Sequence, residues 1–161
     1  MGISKEVINV VLPMITFDTS KMDTWTDEQW QQFVGDENEY EGIQLLLLDD
    51  SSFYLKITDV HFNETTEEMV FSFDTQYKMD GKIYIQFGQW QIDESLYNLT
   101  AERPVYLDKI AGVRSFQKRI QHSYLKEWDK TIMEMKILDA ESNTIIRELE
   151  FQINKQYTLL F

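Results

Sequence analysis

Residues 69–92 read MVFSFDTQYKMDGKIYIQFGQWQI and carry the strongest structural signal in the chain. Apolar and polar side chains alternate from Met69 to Tyr77, which is typical of a strand with one buried and one solvated face. Asp80-Gly81 predicts a tight hairpin turn, because glycine readily adopts the positive φ that such turns require. Ile83 to Ile92 is therefore expected to pair back on the first strand, with an irregularity at Gly88, where the alternation shifts.

The same period of two extends upstream. Ile43 to Leu48 is an apolar run that predicts a strand, and Asp49-Asp50-Ser51-Ser52 supplies turn residues. Phe53 to Phe62 then predicts a second strand. Its apolar phase shifts after Ile57, so we expect a β-bulge near Thr58 and Asp59.

A short helix is predicted from Thr26 through Val34. Thr26 and Gln29 have the spacing of a capping box, in which each residue satisfies a backbone amide of the other. Asp27 and Glu28 lie in the first turn, where the helix dipole favours negative charge. Gly35 follows as a stop signal.

Two further segments are interpreted as helical. Val7 to Phe17 is either a helix broken at Pro13 or an edge strand, and we favour a helix followed by extended chain. Arg114 to Trp128 predicts an amphipathic helix packed on the sheet. Its apolar stripe is Phe116, Ile120, Tyr124 and Trp128, and its basic residues are Arg114, Lys118, Arg119 and Lys126.

The C-terminal part reads as strands, Ile132 to Leu138 and Ile145 to Phe161, the second with a bend near Asn154-Lys155. The predicted fold is α+β: a twisted antiparallel sheet of about six or seven strands with two or three helices packed on or beside it. Residues 1–161 are expected to form a single domain. Its parts are a helical N-terminal region (1–41), a strand meander (42–92), a helix (105–130) and C-terminal strands (131–161).

The residues that enzymes and cofactor sites require are scarce. The chain has no cysteine, and its two histidines, His61 and His122, stand in no metal-binding spacing. No glycine-rich phosphate loop and no Gly-x-Ser-x-Gly motif occurs. The acidic pairs Asp49-Asp50 and Asp93-Glu94 are interpreted as turn or surface residues. We therefore expect neither an enzyme nor a bound metal or cofactor.

Charge is distributed unevenly. The formal net charge is −13, and residues 1–100 hold 19 of the 28 acidic side chains but only 5 of the 15 basic ones. Such a balance opposes binding to nucleic acids and anionic membranes, whose affinity comes from Lys and Arg. It favours a basic protein as partner, such as a nuclease or another nucleic-acid-binding effector. Absence of cysteine and of a convincing signal peptide or membrane span indicates the cytoplasm.

The densest acidic region also contains aromatic residues, and we call residues 23–41 the acidic-aromatic segment. Carboxylates can pair with Lys and Arg of a partner while aromatic rings bury area as anchors. The alternative is a solvated surface that only keeps the protein soluble. The predicted partner-binding residues are Asp23, Trp25, Asp27, Glu28, Trp30, Asp36, Glu37, Glu39, Tyr40 and Glu41. The basic segment 114–128 is interpreted as an internal counterweight to this charge, with a separate recognition surface as the alternative.

The functional hypothesis is an acidic protein-binding inhibitor of the kind that phages and mobile elements encode. It would be a counter-defence, anti-CRISPR-like or immunity protein that blocks a basic active site or nucleic-acid channel of its partner. One alternative is a phage virion or assembly component built on an exposed sheet edge. Another is a small-ligand-binding protein or enzyme, with a curved-sheet pocket lined by rings such as Phe71, Phe73 and Trp90.

Overall fold

The computed structural model describes residues 4–11, 15–34, 44–92, 94–121, 131–154 and 157–160, and most of these residues lie in strands. A 3-10 segment (Thr19–Thr24) and one short helix, α1 (Asp27–Val34), interrupt them. The strands are β1 (Lys5–Val11), β2 (Ile15–Asp18), β3 (Leu45–Asp49), β4 (Phe53–Asn63), β5 (Glu68–Tyr77), β6 (Lys82–Ile92), β7 (Ser95–Asn98), β8 (Val105–Asp108), β9 (Arg114–Ile120), β10 (Thr131–Asp139), β11 (Ile145–Asn154) and β12 (Tyr157–Leu160).

Two large sheets are formed. One has six strands in the order β1-β11-β10-β6-β7, with β8 also pairing with β6, and the other has four in the order β3-β4-β5-β9. Pairing is antiparallel except between β1 and β11 and in the separate pair of β2 with β12, which are parallel.

Aromatic side chains join the inner faces of the two sheets. Trp90 of β6 meets Phe71 and Phe73 of β5 edge to face, with ring centroids 5.9 and 6.1 Å apart. Phe87 of β6 meets Phe116 of β9 at 5.6 Å. Burying one such ring completely stabilises a fold by about 2–3 kcal/mol. The sheets are thus held face to face by a core of large side chains, as in a β-sandwich.

The predicted α+β class is wrong, and the clearest error is the helix expected over residues 114–128. Residues Arg114–Ile120 form strand β9, which pairs with Met69 to Thr75 of β5. Phe116 and Ile120 are four residues apart, so they share a face in a helix and also in a strand. Pairing with β5 decides in favour of the strand, and residues 122–128 lie outside the described residues.

In the described part of the N-terminal region, helical structure is confined to the 3-10 segment and α1, and the helix favoured over residues 7–17 is wrong. Within Val7 to Phe17, the described residues belong to strands β1 and β2, as in the edge-strand alternative. Val7 pairs with Glu150 in β11, far away in the sequence. A local pattern contains no trace of such a distant partner, so it does not distinguish this strand from a helix.

The hairpin predicted at Asp80-Gly81 is also wrong, although the chain does turn there. Gly81 has a φ of +94°, a value that glycine adopts without strain. The turn leads from β5 in the four-stranded sheet to β6 in the six-stranded sheet, and these two strands do not pair. Their apolar faces are stacked against each other instead of lying side by side in one sheet.

Several local predictions are confirmed. The register of β4 and β5 shifts between Ile57 and Asp59, where a bulge was expected. A second shift faces Gly88, whose missing Cβ would lie 3.0 Å from the Cβ of Glu134. The strands β7 and β8 were not predicted. At the C-terminus, β11 ends at Asn154 and β12 pairs with β2, while Lys155 of the expected bend lies outside the described residues.

Candidate partner-binding surface

The acidic-aromatic segment begins outside the two large sheets. After β2, the 3-10 segment approaches β12, and α1 follows. Every side chain of residues 20–30 is exposed or half-buried, so none of them belongs to the buried core. This part of the chain is therefore not explained by the packing of the sandwich.

Hydrogen bonds fix the start of α1. The backbone amide of Thr26 donates to Oε1 of Gln29 at 2.8 Å, and the amide of Gln29 donates to Oγ1 of Thr26 at 3.2 Å. These are the reciprocal bonds of the predicted capping box, and a cap of this kind contributes about 1 kcal/mol. The amide of Trp30 donates to the Thr26 carbonyl at 3.1 Å. Trp30 is thereby held one turn beyond the cap.

Trp25 and Trp30 form a pair at this end of the helix. Their ring centroids lie 4.9 Å apart with an interplanar angle of 62°, which is an edge-to-face arrangement. Trp30 remains 38% exposed, whereas Trp90 in the core is completely buried. Tryptophan exposes a large apolar area to water at a cost, and aromatic side chains of this kind are enriched at protein interfaces.

Three carboxylates accompany the tryptophan pair. Asp23 precedes Trp25 in the chain, and Asp27 and Glu28 occupy the first turn of α1; all three are exposed. Lys and Arg side chains interact favourably with carboxylates and with the faces of tryptophan rings. We call Asp23, Trp25, Asp27, Glu28 and Trp30 the Trp25–Trp30 surface. Chemically, it is suited to basic side chains.

The structure brings together half of the predicted partner-binding residues, those of the Trp25–Trp30 surface. The other half lie outside the described residues, so their role stays a prediction. They are Asp36, Glu37, Glu39, Tyr40 and Glu41.

Among the described residues, the charged group with the most hydrogen bonds is a different one, and the sequence gives no local sign of it. Arg147 of β11 donates to both carboxylate oxygens of Glu6 at 2.8 and 2.7 Å. It also donates to Oδ2 of Asp50 at 2.9 Å and to Oγ of Ser52 at 3.0 Å. We call these four residues the Arg147 cluster. Its members come from distant parts of the sequence, so no local motif could have indicated it.

The Arg147 cluster accounts for the acidic pair Asp49-Asp50. Oδ1 of Asp50 accepts the backbone amides of Ser52 and Phe53 at 2.9 and 3.0 Å, as expected of a turn residue. Burial raises the pKa of Asp50, but these amides and Arg147 together outweigh burial and lower that pKa to about 2. The Arg147 hydrogen bonds likewise lower the pKa of Glu6. The cluster thus joins β1 and β11 to the β3–β4 turn and has a structural role.

The other candidate chemical groups are sparse. Nδ1 of His61 lies 2.7 Å from Oδ2 of Asp59, at the bulge of β4 and partly open to solvent. Nowhere in the described part of the chain do three or more His, Asp or Glu side chains come together as a metal site would require. His122 and Asp93 lie outside the described residues, and Glu94 is exposed.

The rings proposed to line a ligand pocket are core residues. Phe71, Phe73 and Trp90 are completely buried and contact one another across the sandwich. Nε1 of Trp90 has no hydrogen-bond partner among the described residues. These contacts occupy the space between the sheets and argue against the curved-sheet pocket.

The basic side chains of segment 114–128 are divided between the two faces of β9. Nη1 of Arg114 donates to the Tyr106 carbonyl at 2.8 Å, Arg119 is exposed, and Lys118 points inward. No ion pair joins any of these three to a carboxylate within the described ranges. Lys126 lies outside them. These residues therefore give no direct support to the hypothesis that segment 114–128 is an internal counterweight to the acidic charge.

None of the helices in the described ranges has the length and apolar character that crossing a membrane requires. The chain matches no protein-family model, and a comparison with curated proteins gives no match.

Proposed function

We propose that this chain is an acidic protein-binding inhibitor that acts in the cytoplasm and blocks a basic active site or nucleic-acid channel of a partner protein. The observation that carries the proposal is the Trp25–Trp30 surface. Two of the four tryptophans lie on a segment that adds no described side chain to the core, next to three exposed carboxylates. This position suits a contact surface better than a structural role.

Physical chemistry indicates how such a surface would work. A net charge of −13 attracts a basic protein over distances of about one Debye length, roughly 8 Å at physiological salt. After encounter, the tryptophan rings would lose their contact with water and supply most of the affinity. The carboxylates would orient partner Lys and Arg side chains and exclude partners of the wrong charge.

The test uses four versions of the chain as affinity baits in a lysate of the native host, followed by mass spectrometry. The wild-type chain is compared with W25A/W30A, which removes the rings, and with D23N/D27N/E28Q, which removes the charges. The matched control is E64Q/E94Q/E141Q, which removes the same number of exposed carboxylates elsewhere. A partner should bind the wild-type chain and the control but should dissociate from both surface variants. Loss of the two rings is expected to weaken binding at least tenfold, or about 2 kcal/mol.

Two results would contradict the proposal. One is a set of retained proteins that bind all four baits equally well, since the Trp25–Trp30 surface would then play no part. The other is tight, salt-resistant binding of DNA or RNA by the purified wild-type chain, because an acidic surface cannot gain affinity by releasing phosphate counterions.

A second candidate function, an assembly subunit, is favoured by one observation at the edge strand β1. Val7 and Val11 on this strand are 50% and 47% exposed. A sheet edge with exposed apolar side chains can pair with another chain. Regular homo-oligomers of the wild-type chain in a sizing experiment at moderate salt would favour this function, and a monomer would favour the inhibitor.

A further inference from the structure

Strand β9 is the edge of the four-stranded sheet. Among the described strands it pairs only with β5. An edge strand presents a row of backbone N–H and C=O groups that can pair with a strand of another molecule. A second copy of this chain carries the same edge, so two β9 strands could in principle pair with each other across a twofold axis.

Lys118 lies within this edge strand, and its side chain points toward the core, whereas most lysine side chains point toward solvent. It lies between Phe116 and Ile120 on the face that packs against the other sheet. Only 8% of its surface is exposed, and its ammonium nitrogen lies 4.1 Å from the centroid of the Phe87 ring. Within the described part of the chain, that ammonium has no hydrogen bond and no ion pair.

Burying the Lys118 ammonium lowers the stability of the folded state. Desolvation lowers the pKa of its ammonium group, and the charge of Glu102 only partly compensates. Contact with the Phe87 ring returns part of the cost. A methionine would fill the same space without a charge, and both neighbours on this face of β9, Phe116 and Ile120, are apolar. Packing therefore does not explain why a lysine stands here.

The flank of the sandwich beside β9, which no described strand covers, provides the explanation. Lys118 stands on the edge strand itself and keeps 8% of its surface exposed, so a small part of it still meets water. A strand added to β9 would cover that flank. It would then remove the remaining water from an ammonium that has no described anionic partner, which is strongly unfavourable.

We propose that Lys118 closes the β9 edge to pairing with a second copy of this chain. Inward-pointing charged residues are one of the ways in which proteins protect sheet edges. The other basic residues of β9, Arg114 and Arg119, are exposed and could stay hydrated if a strand were added. Lys118 is therefore the residue on which closure depends. This inference does not rest on the proposed function, because it concerns a different surface.

The test is the association state of Lys118→Met, measured by sedimentation velocity over a wide concentration range. Salt above the physiological concentration is used to screen the repulsion between two chains of charge −13. The wild-type chain should show no association through β9, and Lys118→Met should shift from monomer to dimer as concentration rises. In the dimer, backbone amides of β9 should gain protection from hydrogen exchange.

Three further variants make the result decisive. Lys118→Arg keeps the charge and should behave as the wild-type chain. Arg119→Met removes the same charge from the exposed face of the same strand and should also behave as the wild-type chain. Lys118→Gln removes the charge but stays polar, and it should associate even if the methionine variant fails to fold. Near-ultraviolet circular dichroism identifies the folded variants.

The proposal is overturned if the folded neutral variants stay monomeric, or if Lys118→Arg associates as they do. Association of the wild-type chain with new protection in β9 would also overturn it. Association that protects backbone amides of β1 from hydrogen exchange, and leaves those of β9 unchanged in all variants, would show that the chains associate through β1. It would equally contradict a role for Lys118.

Discussion

Arg147 and Lys118 are inward-pointing basic residues on opposite flanks of the same sandwich, and their surroundings differ completely. The Arg147 side chain is 17% exposed and binds two carboxylates and a hydroxyl. Lys118 is more deeply buried, and within the described part of the chain its ammonium contacts the face of an aromatic ring and forms no ion pair. The first flank joins β1 and β11 to the β3–β4 turn, and on the second no described strand pairs with the outer edge of β9.

The difference shows that burying a charged side chain can either raise or lower the free energy of unfolding. A buried charge stabilises a fold only when its partners replace the water that it loses. Arg147 meets that condition, because every described contact of its guanidinium is charged or polar. Lys118 does not, and so its presence requires another reason, which closure of the β9 edge supplies.

The largest expected effect is that of Arg147→Met. This change leaves the carboxylates of Glu6 and Asp50 close together without their shared cation, and it removes the link between β11 and the β3–β4 turn. We expect a loss of about 2–4 kcal/mol in the free energy of unfolding. Urea denaturation followed by tryptophan fluorescence measures it. Arg103→Met, at an exposed position, is the matched control, and equal stability of the two variants would refute the structural role of the cluster.

Lowering the pH is expected to have a smaller effect on stability, because it protonates the Asp50 carboxyl. Its pKa falls from 3.8 in the unfolded chain to about 2 in the folded protein, so the folded state favours the ionised carboxyl. The stability that this provides is fully present above pH 3.8 and is lost as the pH falls toward 2. Because the carboxylate is 38% exposed, solvent screening reduces the contribution to about 1 kcal/mol.

Substituting Asp50→Asn isolates this contribution from the titration of the other acids. The stability difference between the wild-type chain and the variant should shrink as the pH is lowered through that range, measured by urea denaturation at each pH. Asp80→Asn, whose side chain is 99% exposed, is the control and should show no such trend. A difference that is constant with pH would exclude the ionised Asp50 carboxyl as the stabilising group.

Features that depend on a few neighbouring residues could be predicted from the sequence. Thr26 and Gln29 are three residues apart, and their capping bonds form as expected. The bulge after Ile57 and the irregularity at Gly88 were visible as phase shifts in the apolar pattern. Each of these features is determined by the local backbone geometry that its own side chains require.

Features that depend on distant partners could not be predicted. The Gly81 turn is compatible with a hairpin and with a crossing between sheets, and the edge-to-face packing of Phe71 and Phe73 against Trp90 favours the crossing. The partners of Arg147 are likewise separated from it by most of the chain. For the candidate surface, composition indicated the tryptophans and acids, but their geometry depends on the fold of the segment around them.

The smallest effect on stability is expected from Lys118→Met, and it has the opposite sign to that of Arg147→Met. Removing the ammonium abolishes its desolvation cost but also its contact with Phe87, so the free energy of unfolding should rise by about 0–1 kcal/mol. It is measured at protein concentrations low enough to keep the variant monomeric, with Lys118→Arg as the charged control.

The pH dependence provides an independent check on this last prediction. Because burial lowers the pKa of Lys118 below 10.5, the folded state releases its proton more readily than the unfolded chain does. The wild-type chain should therefore gain stability relative to Lys118→Met as the pH rises through 10.5, and the gain is complete only above that pH, where the lysine is neutral in both states. If instead Lys118→Met lost as much stability as Arg147→Met, the ring contact of Lys118 would be as strong as a full set of ionic partners, and the contrast between the two flanks would disappear.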